Sequence, residues 1–204
     1  VVAASNGTAA LSMALMTVGV KPGDEIIVPN RTWIATAHAG YVLGARIVLA
    51  DVEENRPIID VASIEQSVTE KTKAIIPVHL NGRSPNMELI NEIGRERKIP
   101  IIEDSAQAFG SKNRNGYLGT QSGIGCFSLS VAKIVSSGQG GFCVTASDDY
   151  AYRMRNIRTH GVERVLDPES WGMPGFNFRF TDIHAAIARI QMKYLDERIE
   201  HCRN

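Results

Sequence analysis

The chain has 204 residues, 44% hydrophobic and 22% charged, which is enough for one substantial core of ordinary globular composition. Its 22 basic and 22 acidic residues give a formal net charge of zero. This balance argues against nucleic acid or an anionic membrane as the main partner, because both favour proteins with a basic excess. No apolar run approaches the roughly 18–20 residues of a membrane-spanning helix.

Helices and strands are predicted to alternate along the chain. In order, they are a helix at 8–18, a strand at 25–28, a helix at 32–43, a strand at 47–50, a helix at 61–68, a strand at 74–78, a helix at 86–97, strands at 100–102, 126–129 and 141–145, and helices at 148–157 and 181–199. The short strands are apolar on both faces, so helices must cover both sides of the sheet. We therefore predict an α/β fold, a three-layer αβα sandwich with a mostly parallel central sheet.

The cysteines and the two chain ends indicate the cellular location and the extent of the protein. Cys126 and Cys143 lie in apolar strand-like runs, and no C-x-x-C spacing occurs, so we expect buried free thiols and, by default, a cytoplasmic location. The sequence opens on Val1 and closes in the polar tail of a helix. We expect residues 1–204 to be part of a longer protein.

Polar residues follow several of the predicted strands. Asp51, His79 and Asp104 stand at or just after strand ends. Right-handed crossovers bring the carboxyl ends of parallel strands to one edge of the sheet. Ligands bind along that edge in open α/β sheets, so we expect a ligand site there.

Lys133 is the most informative residue of this edge. It follows the strand at 126–129 and precedes a glycine-rich bend at 136–141, while Asp104 ends another strand. A lysine amine that forms a Schiff base, with a carboxylate that keeps a pyridine nitrogen protonated, is what pyridoxal phosphate chemistry requires. Taken singly, each residue is better explained as a surface lysine or as a helix-capping aspartate, and it is the rest of the chain that reverses this preference.

Two segments are candidates for binding a phosphate. Gly7 and Thr8 open the first helix, where backbone N–H groups and a hydroxyl can bind an anion. Ser128 ends the strand before Lys133 and offers a second hydroxyl. Ordinary helix capping and a strand serine in a polar gap are the structural alternatives.

Four further residues are candidates for binding a ligand. Trp33 can stack on a flat ring, and Gln107 lies one helical turn after Asp104 if a helix starts there. Asn177 and Arg179 alternate with aromatic residues in a predicted extended segment with one wet face. A core tryptophan, a solvent-facing glutamine and a structural connection are the alternatives.

Metal and nucleotide motifs are missing. His79, His160 and His184 do not have the spacing of a metal-binding set, and no H-E-x-x-H motif occurs, so we predict no metal site. The Gly-Gln-Gly-Gly run at 138–141 does not follow the G-x-G-x-x-G pattern, so a dinucleotide-binding fold is weakly supported.

Nearly the whole chain resembles the DegT/DnrJ group of sugar aminotransferases, within the fold-type I pyridoxal phosphate enzymes. The segments that carry the resemblance stand in family order: Ser-Asn-Gly-Thr-Ala-Ala-Leu (5–11), Pro-Gly-Asp-Glu (22–25), Thr-Trp-Ile-Ala-Thr (32–36), Pro-Val-His-Leu-Asn-Gly (77–82), Ile-Ile-Glu-Asp-Ser-Ala-Gln-Ala (101–108), Phe-Ser-Leu-Ser-Val-Ala-Lys (127–133), Gly-Gln-Gly-Gly (138–141), Arg-Thr-His-Gly (158–161) and Phe-Arg-Phe-Thr-Asp-Ile-His-Ala-Ala-Ile (178–187). No single segment is decisive, but the ordered set is specific.

The resemblance implies a role for each catalytic and ring-binding residue. Lys133 would carry the Schiff base and move the proton, and Asp104 would pair with the pyridinium nitrogen. Trp33 would stack on the ring of pyridoxal 5'-phosphate, and Gln107 would contact the ring hydroxyl.

The resemblance also implies how the phosphate is held. Gly7, Thr8 and Ser128 would bind it, and the segment with Asn177 and Arg179 would reach the phosphate site of the partner subunit. A homodimer is therefore the expected working unit.

The implied reaction transfers an amino group from an amino-acid donor, L-glutamate, to a nucleotide-linked keto sugar. The implied organisation makes residues 1–204 the large cofactor-binding domain, without the short N-terminal segment and the C-terminal small domain of such enzymes. Many relatives have Glu at the position of Gln139 and a bulkier residue at the position of Ser130, and both neighbour the lysine.

Two other functions stay open at this stage. Related sugar dehydratases have histidine at the lysine position, and Lys133 argues against that reaction. A non-catalytic remnant that binds pyridoxal phosphate, or nothing, is the alternative from another class. A cysteine desulfurase is disfavoured, because its nucleophilic cysteine should lie on an exposed flexible loop, whereas Cys126 and Cys143 lie in apolar strands and Cys202 lies in a terminal helix.

Overall fold

The computed structural model describes residues 1–164 and 167–203. Its elements in chain order are β1 (Val2–Ala4), α1 (Gly7–Thr17), β2 (Glu25–Pro29), α2 (Ala35–Tyr41), β3 (Arg46–Ala50), α3 (Val61–Ser67), β4 (Thr72–Ile75), a 3₁₀ turn (Leu80–Gly82), α4 (Met87–Arg97), β5 (Ile102–Asp104), β6 (Lys112–Asn113), β7 (Gly116–Tyr117), β8 (Ile124–Ser128), β9 (Gly141–Val144), α5 (Asp148–Arg158), β10 (Val162–Arg164), β11 (Asp167–Trp171), α6 (Asp182–Met192) and α7 (Leu195–Arg203). None of the described helices combines the length and apolar character needed to cross a bilayer.

The central sheet is mostly parallel. A three-stranded part, β3-β2-β4, meets a four-stranded part, β5-β8-β9-β1, through parallel bridges from Ile75 to Ile101 and from Val78 to Asp104. β9 runs antiparallel to both β8 and β1, so β1 again points the same way as β8. The carboxyl ends of β1, β4, β5 and β8 therefore share one edge.

Alternating strand residues separate two apolar layers. Ile26 and Val28 of β2 pack in a cluster with α1 and α5, while Ile27 between them packs in a second cluster with α3 and α4. Successive side chains of a strand point to opposite faces, so a strand apolar throughout buries both faces only when helices lie on both. The predicted three-layer αβα sandwich is confirmed.

The sequence located most elements but misjudged several boundaries. The helix predicted at 181–199 is two helices, because the N–H groups of Lys193 and Tyr194 bond three residues back and tighten the turn between them. The helix predicted at 32–43 is limited to Ala35–Tyr41. The strand predicted at 100–102 is displaced to Ile102–Asp104, which makes Asp104 its last residue.

Several short strands escaped prediction. β1 and the β6–β7 and β10–β11 hairpins have two to five residues each, too few to show a period. The predicted burial of two cysteines is confirmed, since Cys126 and Cys143 face each other across β8 and β9 as free thiols. Burial raises the pKa of the Cys126 thiol well above its usual value.

Adjacent residues of α4 provide a test of the layer arrangement. Ile90 is 0% exposed in the second cluster, whereas Leu89 is 45% exposed on the same helix. We expect Ile90→Ala to lower the free energy of unfolding by about 2–5 kcal/mol, because it removes buried methyl groups and leaves a cavity. Leu89→Ala, the matched control, should cost about 0.5 kcal/mol. Urea denaturation measures both, and equal losses would contradict the arrangement.

Candidate active site

The carboxyl edge of the sheet opens into a cavity of about 690 Å³. The residues that line it come from the start of α1, the approach to α2, the segment after β4, the ends of β5 and β8 with the loops after them, and the segment before α6: Asn6, Gly7, Thr8, Ala9, Leu11, Ser12, Thr32, Trp33, Ala35, Val78, Asp104, Ala106, Gln107, Ser128, Ser130, Ala132, Lys133, Gln139 and Phe178. Seven of the nine predicted site residues are in this set. The expectation that a ligand site lies at this edge is supported by their convergence.

The start of α1 forms the anion-binding end of the cavity. The Asn6 side chain caps the helix by accepting the N–H of Ala9 at 2.8 Å. Helix geometry leaves the N–H groups of Gly7 and Thr8 without intrahelical acceptors. Ser128 lies directly opposite, and a Cβ on Gly7 would come within 2.9 Å of its Cβ. Only glycine lets the helix start and the strand end approach this closely.

Asp104 is a buried carboxylate held from two sides. Thr36 Oγ1 donates to its Oδ2 at 2.8 Å, and the N–H of Ala106 donates to its Oδ1 at 3.1 Å. Burial raises the pKa of Asp104, against the opposing influence of these two hydrogen bonds and of the positive charges of Lys133 and His79. A cationic N–H inside the cavity would compensate the charge of this carboxylate.

Gln107 reaches the cavity from a turn rather than from the helix considered above, because the N–H of Ala108 bonds back to Ser105. The N–H of Asn81 donates to Gln107 Oε1 at 3.0 Å. Asn81 lies in the turn after β4 with φ of 52°, a left-handed conformation that asparagine tolerates. Since its oxygen is occupied, Gln107 offers its amide N–H groups to a ligand.

Trp33 and Lys133 stand on the loops that border the cavity. Trp33 is 72% exposed, so the alternative of a core tryptophan is wrong. Lys133 is half-buried in a turn after β8, where its N–H bonds to the carbonyl of Ser130 at 3.0 Å. The carbonyl of Leu129 accepts the N–H of Ser137, which closes the loop that carries the lysine.

Asn177 and Arg179 are the two predicted site residues that lie outside this cavity. Both are exposed, while Phe178 between them lines the cavity and accepts the N–H of Ser5 through its carbonyl at 2.8 Å. Burial lowers the pKa of Arg158, and the neighbouring charges of Arg155 and Arg179 add to this effect.

Two other residues of the predicted edge are also outside the cavity. Asp51 is exposed and accepts a hydrogen bond from Asn30 at 2.8 Å, and His79 is buried behind Asp104. Sequence reasoning missed Thr36 and Asn81, whose roles depend on contacts 68 and 26 residues away in the chain. Thr36 does end the Thr-Trp-Ile-Ala-Thr segment, which is the signal that could have drawn attention to it.

Because the Asp104 carboxyl is buried, the folding stability of the protein without ligand should depend on pH. Its raised pKa means that the folded state holds the proton more tightly than the unfolded state does. Stability is therefore lost as pH rises through the folded pKa. Asp104→Asn has no proton to lose, and its amide can still accept from Ala106 and donate to Thr36, whose hydroxyl can turn to the Trp33 carbonyl at 3.0 Å.

We expect the melting temperature of Asp104→Asn to rise relative to the parent as the pH increases above the ordinary pKa of an aspartate, about 4. Thermal unfolding followed by circular dichroism measures the difference. Asp51→Asn, at the exposed end of β3, is the control variant. A difference between Asp104→Asn and the parent that is independent of pH would contradict a raised pKa of the Asp104 carboxyl.

Comparison with known proteins gives a consistent relationship. Residues 1–204 match the DegT/DnrJ/EryC1/StrS aminotransferase family. The chain is 39% identical over 201 residues to a GDP-perosamine synthase of Caulobacter vibrioides, covering 97% of this chain and 53% of that protein. It therefore spans about half the length of this relative.

Solved structures agree with the sequence match. DesV of S. venezuelae, in complex with a ketimine intermediate, has a TM-score of 0.90 and 34% identity over 96% of this chain and 52% of that chain. NtdA of Bacillus subtilis, with bound cofactor PMP, has a TM-score of 0.88 and 31% identity over 95% of this chain and 44% of that chain. The resemblance inferred from the ordered segments is confirmed: the chain belongs to the DegT/DnrJ/EryC1/StrS aminotransferase family.

Proposed function

We propose that residues 1–204 form the large domain of a pyridoxal phosphate-dependent aminotransferase. Its reaction would transfer an amino group, supplied by L-glutamate, to a nucleotide-linked keto sugar. The observation that carries the proposal is a single cavity with a lysine, a buried carboxylate, an amide donor, an exposed indole and a helix N-terminus on its walls. The names of the sugar aminotransferase relatives add the substrate class.

The cavity residues match the parts of pyridoxal phosphate in kind. Asp104 offers a buried acceptor for the protonated pyridine nitrogen, and the amide of Gln107 is left free to donate to the ring oxygen. The free N–H groups of Gly7 and Thr8, with the Ser128 hydroxyl, suit a phosphate dianion. The cavity volume of about 690 Å³ falls within the range of small-ligand sites.

When bound, pyridoxal phosphate would supply an aldehyde carbon and a ring that accepts an electron pair. The chain's residues orient it and move protons. Lys133 would supply the amine that holds the cofactor, and its Nζ would accept the proton that leaves the α-carbon of the amino donor. Asp104 would keep the pyridine nitrogen protonated, and Trp33 would stack on the ring.

Lys133 also separates the two reactions considered for this family. Related sugar dehydratases have histidine at this position, which cannot hold the cofactor covalently, and they dehydrate the sugar instead. The lysine favours amino transfer. We also propose a cytoplasmic location, since buried thiols such as Cys126 and Cys143, in a chain without C-x-x-C spacing, suit a reducing compartment.

The working unit would be a homodimer in which Asn177 and Arg179 complete the phosphate site of the partner subunit. Both residues are exposed and outside the cavity of their own subunit. The nearby helix α6 buries none of its residues and exposes Ile183 by 75% and Ile190 by 52%. Apolar exposure of this extent supports a surface that another subunit covers.

Lys133→Ala should abolish the visible absorbance of the protein with added pyridoxal phosphate. The parent should absorb at about 400–430 nm, as expected for this cofactor joined to an amine. L-glutamate should bleach the parental band when the donor's amino group passes to the cofactor. Lys71→Ala, an exposed lysine at the start of β4, is the control and should keep the band.

Turnover should fall by at least about 10²–10⁴-fold in Lys133→Ala, since proton transfer by a positioned group is worth that much. Amination of a nucleotide-linked keto sugar measures it. A visible band that persists in Lys133→Ala would overturn the proposed role of this lysine. So would equal bleaching by L-glutamate in Lys133→Ala and Lys71→Ala.

Mixed dimers test where Arg179 acts. Lys133→Ala and Arg179→Ala should each be inactive alone. If Arg179 serves the partner's site, co-expression should restore about a quarter of the parental activity, because half of the dimers are mixed and each contains one intact site of two. Arg179 acting within its own subunit would give no restoration. Two Lys133→Ala preparations mixed together are the control.

A further inference from the structure

A second buried carboxylate lies directly behind the cavity. Glu103 precedes Asp104 on β5, so its side chain points to the opposite face of the sheet, and it is 0% exposed. Its Oε1 accepts the N–H of Gln121 at 2.7 Å and the hydroxyl of Ser122 at 2.9 Å. Its Oε2 accepts the N–H of Gly119 at 2.8 Å.

His79 completes this set of donors. Its Nε2 lies 2.7 Å from Glu103 Oε2, and the ring is 0% exposed. Burial raises the pKa of Glu103. The interaction with His79 and the hydrogen bonds from Ser122 and Gly119 lower this pKa by more than burial raises it, so it stays below its usual value. An ionised carboxylate has only lone pairs to offer, so His79 Nε2 must carry the proton and donate it.

The backbone of His79 is coupled to that of Asp104. The N–H of His79 donates to the Asp104 carbonyl at 3.0 Å, and the N–H of Asp104 donates to the Pro77 carbonyl at 2.9 Å. The strand that carries Asp104 is therefore held between residues 77 and 79. A shift of His79 towards or away from Glu103 would move the same backbone that positions the Asp104 carboxylate.

We propose that His79, fixed by Glu103, is a positioning residue for Asp104. The pair holds the last residue of β5 at the depth where its carboxylate meets the cavity. The inference rests on the proposed function, in which Asp104 binds the pyridine nitrogen. It assigns a role to a histidine that does not touch the cavity and whose Nδ1 has no hydrogen-bond partner among the described residues.

The hydrogen bond to Glu103 fixes the buried ring of His79. Lys133 lies across the cavity from the Asp104 carboxyl, and His79 lies behind the strand. Glu103 binds the Nε2 side of the imidazole and so holds the ring, and with it the backbone of residue 79, in place. Loss of this hydrogen bond should therefore leave Asp104 less well placed.

Two substitutions of similar polarity separate position from bulk. In His79→Gln the amide nitrogen reaches the place of Nε2 and can donate to Glu103, whereas the shorter side chain of His79→Asn cannot. We expect His79→Asn to lower kcat by about tenfold, with a smaller change in KM for the amino donor. That is the lower end of losses measured when a supporting group is removed. His79→Gln should recover most of kcat.

A readout without cofactor keeps the test independent of turnover. Carbon NMR of the Asp104 carboxyl should show an altered titration in His79→Asn but not in His79→Gln, because only the Asn variant loses the hydrogen bond that fixes the backbone beside Asp104. With cofactor, His79→Asn should also weaken pyridoxal phosphate binding. Thr69→Val is the matched control, because it removes one donor, at 2.6 Å, from the buried Glu25 far from the cavity.

The outcomes are distinct. If His79→Asn melts at a lower temperature, as Thr69→Val should, but keeps the parental kcat, cofactor affinity and Asp104 titration, His79 is merely structural and the proposal is overturned. Equal kcat for the Gln and Asn variants would also overturn the positional argument. A parent protein without the visible band would instead contradict the proposed function, whatever the His79 variants do.

Discussion

The active-site edge depends on the burial of both faces of a parallel sheet. Ile26 and Ile27 enter different apolar clusters although they are neighbours in β2, and so do Ile101, directly before β5, and Ile102, its first residue. Helices must therefore lie on both sides, and right-handed crossovers then bring the strand ends to one edge. Ser128 and Asp104 meet there, although they are 24 residues apart in the sequence, because β5 and β8 are paired in parallel.

The same sheet gives two adjacent carboxylates opposite environments. Asp104 faces the cavity with two hydrogen-bond donors, whereas Glu103 faces the interior with four. Donors lower the pKa of a buried carboxyl and burial raises it, so the balance differs at the two positions. Burial prevails at Asp104 and the donors prevail at Glu103. This contrast leaves Asp104 the carboxylate that gains from a cationic ligand.

The close approach of two backbone segments sets the dimensions of the anion-binding end of the cavity. Gly7 lets the start of α1 approach Ser128, and Gly141 leaves no room for a Cβ beside the backbone of Asn6. β1 pairs with β9 and β9 with β8, so the segment at 5–8 is delivered beside the end of β8. An anion bound there would lie within reach of the N–H groups of α1 and the hydroxyl of Ser128.

The sequence by itself determined the layer order and the approximate positions of most strands, and it predicted Lys133, Asp104, Trp33 and Gln107 as site residues, because apolar runs, turns and ordered motifs are local signals. It could not show that Trp33 is exposed, that Asn177 and Arg179 lie outside the cavity, or that the helix at 181–199 breaks at Lys193. Only the tertiary structure decided the partners of the buried groups: Thr36 for Asp104, Asn81 for Gln107 and His79 for Glu103. Each of these hydrogen bonds joins residues more than 20 positions apart, and their geometry exists only after the strands have paired.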